Sequence, residues 1–213
     1  MNRPLSLLLT LGVGLLLANA ALAGDYPKPS IYPISWELSF SHSQPQRIVV
    51  KAPGDSTASA YWYITYTVTN NTRQEQLFLP MFELLGDDGS ITRSDDNIPP
   101  AVFDAIKARE KNELLQPPLS VGPEIRIGED QAIDSVAIWR EPKLRMGQFT
   151  IFTTGLSGEW VFLKDDHGQP IKAPDGQPII LRKTLMLTYQ VRGDETFGGP
   201  DAVTEKSQQW VMR

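Results

Sequence analysis

The chain has 213 residues and no cysteine, so disulfides, thiolate metal sites and a cysteine nucleophile are excluded. Its formal net charge of −5 argues against nucleic acid, because binding phosphates takes clustered Lys and Arg, and against docking on anionic lipid headgroups. Apolar residues make up 41% and charged residues 21%, an ordinary globular balance, and 17 prolines with 16 glycines point to many turns.

The N-terminus has the layout of a secretory signal peptide. Arg3 supplies a positive start, Leu5 to Leu17 is apolar, and Ala21-Leu22-Ala23 gives a small-x-small cleavage pattern. Cleavage after Ala23 is expected, which makes 1–23 a leader and Gly24 the mature N-terminus. The absence of cysteine also rules out a lipid-modified N-terminal cysteine. No later apolar run approaches the leader in length, so no stable membrane insertion is expected after cleavage. The expected location is periplasmic or extracellular. A mature chain of about 190 residues buries roughly 70% of its unfolded surface and folds without a covalent staple.

Residues 24–34 are proline-rich and read as an extended lead-in to a domain spanning 35–192. In Ser35 to Phe40, Trp36, Leu38 and Phe40 fall on one face, the pattern of a half-buried strand. Arg47 to Lys51 is a second short run, and 52–59 is a turn region. Ala60 to Asn70 is the strongest element. Trp62, Ile64, Tyr66 and Val68 share one face and are predicted to line the core, and almost every residue favours strand. Gln76 to Leu85 is a further strand, where Pro80 cannot donate to a ladder and implies an edge or a bulge. After Asp87-Asp88-Gly89 comes a short run at Ser90 to Arg93. Pro99 to about Leu115 is the one expected helix, about 100–115, begun by two prolines, with Val102, Phe103 and Ile106 on its apolar face and Pro117-Pro118 as its stop. Strands resume at Ile133 to Trp139, Phe149 to Thr153, Glu159 to Leu163 and Ile179 to Val191. Residues 193–213 read as a polar C-terminal tail, ordered only if Trp210 and Val211 dock. Several short strands with turn chemistry between them indicate a β-sandwich or barrel.

Tyr66-Thr67-Val68-Thr69-Asn70-Asn71-Thr72 resembles the strand-and-turn signature of bacterial immunoglobulin-like modules, in which a strand ends at an Asn that turns the chain. Ile127-Gly128-Glu129, followed by Val136 to Trp139, is similar to a later segment of those modules, with Ile127 standing where they usually carry proline. The resemblance implies a mainly β fold, an immunoglobulin-like β-sandwich with one inserted helix. It also implies a role in adhesion, spacing or assembly rather than a named activity.

Candidate chemistry is sparse. His42 and His167 each lie in a polar, turn-like context and read as solvent-exposed, with no acidic or histidine neighbour at a metal-ligand spacing. Gly155-Leu156-Ser157-Gly158-Glu159 approaches a hydrolase nucleophile elbow, but Glu159 stands where the second flanking glycine is required, so a turn between strands is expected. Asp87-Asp88, Asp95-Asp96 and Asp165-Asp166 lack the alternating spacing of a calcium loop and read as solvated turns whose adjacent carboxylates point apart.

The least ordinary feature is an eight-residue repeat. Gly168-Gln169-Pro170-Ile171 recurs as Gly176-Gln177-Pro178-Ile179, with Asp166 and Asp175 preceding the two copies. It predicts an exposed projection over 165–178, and loops on rigid scaffolds often carry binding. Asp166, His167, Gln169, Ile171, Asp175 and Gln177 are the candidate binding residues. The sequence thus predicts a non-enzymatic exported module without a cofactor, binding another envelope protein or a cell-wall component. The alternatives are a secreted hydrolase with an unrecognised site and a periplasmic chaperone or metal carrier. An open sheet edge near Pro80 would favour the chaperone through strand addition.

Overall fold

The computed structural model describes residues 26–118, 124–141, 147–191 and 203–213. The leader 1–23, the first two residues of the lead-in and the 193–202 part of the expected tail lie outside the described residues. The described residues form two compact units, 28–161 with 180–213, and 162–179 with 26–27.

The larger unit is built from antiparallel sheets. One contains β1 (Ser39–His42), β2 (Gln46–Val50), β3 (Ser59–Thr69) and β8 (Ile133–Arg140). Here β1 and β2 pair with the two halves of one edge of β3, and β8 pairs with the other edge from Tyr61↔Arg140 to Val68↔Ile133. The second sheet contains β5 (Met81–Leu85), β6 (Ile91–Arg93), β9 (Gln148–Thr154), β10 (Trp160–Phe162), β11 (Ile180–Val191) and β12 (Val203–Met212), in the order β10-β11-β9-β5-β6 with β12 also on β11. A two-stranded ladder joins β4 (Gln76–Leu77) to β7 (Glu124–Ile125). Among the described residues α1 (Pro100–Glu110) is the only α-helix, and none is long and apolar enough to cross a membrane.

The alternation of β3 decides what lies between the sheets. Trp62, Ile64, Tyr66 and Val68 are buried, and they meet Phe82, Leu84, Phe149, Ile151, Leu185, Leu187 and Tyr189 of the second sheet in one apolar cluster. Trp36, Leu38 and Phe40 point into the same cluster, as their spacing predicts, although regular pairing starts only at Ser39. The opposite face of β3 is buried as well. Tyr61 and Tyr63, with Val136 and Ile138 of β8, pack beneath Val102 and Ile106 of α1. The helix is therefore a lid on the outer face of the first sheet.

Three boundaries differ from the sequence reading. The helix ends at Glu110 rather than near 115, because Lys111 turns left-handed (φ 54°) and Asn112 Oδ1 accepts the Leu114 N–H, a local turn that competes with helical bonding. Pro80 falls between β4 and β5 rather than inside a strand, and β5 pairs with β9 along Met81–Leu85 but with β6 only along Glu83–Leu85. Within the expected polar tail, β12 pairs with β11 from Lys183↔Met212 to Val191↔Val203. The ladder and the buried ends Val203 and Met212 order it despite its polar middle.

Candidate functional site

The eight-residue repeat forms two hairpin turns of one design. In the first, Gly168 N–H donates to the Asp165 carbonyl and Asp165 N–H to the Gln169 carbonyl, both at 2.9 Å. In the second, Gly176 N–H donates to Ala173 at 2.9 Å and Ala173 N–H to Gln177 at 2.8 Å. Gly168 and Gly176 have φ values of 78° and 83°, the left-handed position that closes a three-residue hairpin loop and that glycine occupies without steric cost.

The bases of the two turns are tied in a closed ring. Ile171 N–H donates to the Leu163 carbonyl and Ile179 N–H to the Ile171 carbonyl, both at 2.8 Å, and Leu163 N–H returns to the Ile179 carbonyl at 2.9 Å. The three residues stand eight apart, and two of them, Ile171 and Ile179, end the two copies of the repeat.

The candidate residues divide by role. Asp166, His167, Gln169, Asp175 and Gln177 are exposed, while Ile171 is half-buried at the base. The aspartate that shapes the first turn is Asp165, whose Oδ1 accepts the N–H groups of His167 and Gln169 at 2.9 Å. Asp175 does the same for the Gln177 N–H at 3.0 Å. Asp165 and Asp175 thus support the backbone, leaving Asp166, His167, Gln169 and Gln177 as side chains the turns do not use in these bonds.

The other candidate positions fall elsewhere. His42 is half-buried in β1, with Nδ1 3.0 Å from the Ser43 carbonyl and 3.4 Å from Tyr189 Oη, so its solvent-exposed reading is corrected. Leu156 is fully buried and its carbonyl accepts the Leu38 N–H at 2.9 Å, while Gly158 N–H donates to the Trp36 carbonyl at 3.0 Å. The Gly155-to-Glu159 segment is therefore the expected connection between β9 and β10, held in place by these bonds. Among the described residues no three His, Asp or Glu side chains converge as a metal site.

A second candidate site, a concave one, lies in the larger unit, and the sequence reading missed it. A cleft of about 470 Å³ opens beside the first sheet, lined by Tyr66, Met81, Phe82, Arg93, Asp95 and Asp96 among others. Tyr66 and Phe82 are almost fully buried, with ring centroids 4.8 Å apart, and so form its deep end. Arg93 and Asp96 are exposed at the mouth, and Asp95 is half-buried between. Asp95 grips the outer edge of β8: its N–H donates to the Ile138 carbonyl at 2.7 Å, and its Oδ1 accepts the Ile138 N–H at 3.1 Å. Ser94 Oγ donates to the other carboxylate oxygen. Farther along that edge, Gln116 N–H donates to the Asp134 carbonyl at 2.8 Å. Covering an edge in this way blocks unwanted strand pairing.

Burial pushes the Asp95 carboxyl up to about 6, against the opposing pull of the Ser94 and Ile138 hydrogen bonds and the Arg93 charge. Burial likewise pushes the Tyr66 phenol up to about 12; a Ser135 hydrogen bond opposes this and the Asp95 charge adds to it. Of the two adjacent acids, Asp96 is exposed while Asp95 is half-buried, so the solvated reading holds for Asp96 alone. No local pattern marks Asp95, because its burial depends on Ile138.

Comparison with family models, curated proteins and solved structures returns no match.

Proposed function

We propose that this chain is an exported envelope protein whose immunoglobulin-like β-sandwich presents a recognition element to another envelope protein or to cell-wall material, without catalysing a reaction. The observation that carries the reading is the pair of hairpins at 163–179. Their turns close through backbone bonds and the Asp165 and Asp175 carboxylates, so the exposed Asp166, His167, Gln169 and Gln177 are available for contact. A rigid backbone beneath adaptable polar side chains lowers the ordering cost of binding. Two antiparallel sheets sharing one apolar core are compatible with the immunoglobulin-like assignment, and the leader pattern ending at Ala23 supports export.

The test replaces residues 165–177 with a short Gly-Ser turn. Shortening a loop changes closure entropy by only fractions of a kcal/mol per doubling of length, so melting should be nearly unchanged while capture of the native envelope partner is lost. Retained capture places recognition elsewhere. N-terminal sequencing of the processed protein should begin at Gly24; a product that still carries residues 5–17 contradicts the export reading.

A further inference from the structure

We propose that the cleft at Tyr66, Phe82 and Asp95 binds an organic cation, a primary ammonium on a short apolar stem. The inference is independent of the hairpins. Capping the outer edge of β8 requires one donor and one acceptor opposite Ile138; the Asp95 backbone N–H is the donor, and a neutral side chain would supply the acceptor without burying a charge. The carboxylate at this position carries a desolvation cost that edge capping does not explain.

Its geometry suits a cation. Oδ1 accepts from Ile138 N–H and Oδ2 from Ser94 Oγ; an ionised carboxylate has about four acceptor positions, so capacity for further donors remains. Asp95 and Asn97 both adopt left-handed backbone, with φ values of 64° and 54°. Aspartate and asparagine tolerate this conformation in turns, so it shapes the loop that carries the carboxylate. Beyond the carboxylate, Met81 and the small exposed parts of Tyr66 and Phe82 line the cleft and offer apolar contact to an alkyl stem. A volume of about 470 Å³ fits the smaller class of ligand pockets.

Three other charged or titratable groups face the cleft. Asp96 at the mouth adds to the attraction, the Tyr66 phenol stays neutral below its raised pKa, and the Arg93 guanidinium competes with the ligand for Asp95. Because the Asp95 carboxyl titrates at about 6, binding should weaken several-fold between pH 7.5 and pH 5.

The experiment titrates the protein with n-butylammonium, N-acetyl-lysine methylamide and the neutral isostere n-butanol, following the Asp95 and Ile138 amide signals by NMR. Saturable shifts with the two cations and none with butanol are expected. Tighter binding of butylammonium points to a free amine, and tighter binding of the lysine derivative to a lysine side chain of a partner; either supports the site. Asp95→Asn keeps an acceptor for the Ile138 N–H but removes the charge, so it should weaken binding at least tenfold without lowering the melting temperature. Arg93→Ala should bind as tightly or more so. The proposal is overturned if butanol binds as well as butylammonium, if Asp95→Asn leaves affinity unchanged, or if neither cation produces a saturable shift.

Discussion

Lys183 and Glu159 are joined twice: the Lys183 N–H donates to the Glu159 carbonyl at 2.9 Å, and the ammonium stands 3.4 Å from Glu159 Oε2. Both side chains are only 2% exposed. The ammonium also donates to Glu37 Oε2 at 2.8 Å, and Glu159 Oε1 accepts the Ser30 N–H at 2.8 Å. The cluster thereby fixes the lead-in at Ser30. Removing the lysine leaves a buried carboxylate unpaired, so Lys183→Met should cost about 3–5 kcal/mol in urea unfolding. Adding Glu37→Gln and Glu159→Gln should recover much of it. A loss below about 1 kcal/mol, the range of solvated surface pairs, would show that the cluster is hydrated.

The same cluster sets an acid limit. Burial pushes the Glu159 carboxyl up, but the Ser30 hydrogen bonds and the Lys183 charge outweigh it and hold the group below its ordinary 4.5. A depressed folded-state pKa contributes stability that is present above the unfolded value and lost as pH falls through the folded one. Asp95 acts with the opposite sign. Its carboxyl rises from 3.8 to about 6, so between those values the folded state holds a proton that the unfolded chain has released. Stability from this group is full below pH 4 and lost as pH rises through 6, by up to about 3 kcal/mol. Asp95→Asn should flatten that part of the stability–pH curve and melt at or above the native temperature at pH 7.5. A variant that keeps the native slope between pH 4 and 7 would assign the slope to another group.

Core and edge give a further contrast. Ile64 is fully buried between the sheets, so Ile64→Ala should cost about 2–5 kcal/mol, whereas Gln208→Ala, on the exposed middle of β12, should change stability by less than about 0.5 kcal/mol. Ending the chain before Val203 removes the whole β12 ladder on β11 and should abolish cooperative unfolding. Cooperative unfolding at native stability would return 203–213 to the status of a tail.

The strands carrying apolar alternation were legible because period two is a local property. In β3 it identified Trp62, Ile64, Tyr66 and Val68 as core. It could not show that Tyr61 and Tyr63 are buried too, since that depends on α1 folding back over the outer face. β12 was illegible for the converse reason: Lys206, Ser207, Gln208 and Gln209 carry no apolar signal, and its order comes from backbone pairing with β11. The twin hairpins were legible as a projection because the turn residues are local, but the closed ring at Leu163, Ile171 and Ile179, which half-buries Ile171 at the base, was not. The cleft left no trace in sequence, since Asp95, Tyr66 and Phe82 meet only through long-range folding.

The most direct measurement of the recognition claim leaves the hairpins intact and removes only their outward chemistry. The variant Asp166→Ala, His167→Ala, Gln169→Ala and Gln177→Ala retains Asp165, Asp175, Gly168 and Gly176, so every backbone bond of the two turns is kept. Its melting temperature should stay within about 2 °C of the native protein. In parallel affinity capture from the native envelope, the partner retained by the native protein should be lost. Capture of the same partner at undiminished yield by the stable variant would contradict the claim that these side chains form the recognition surface.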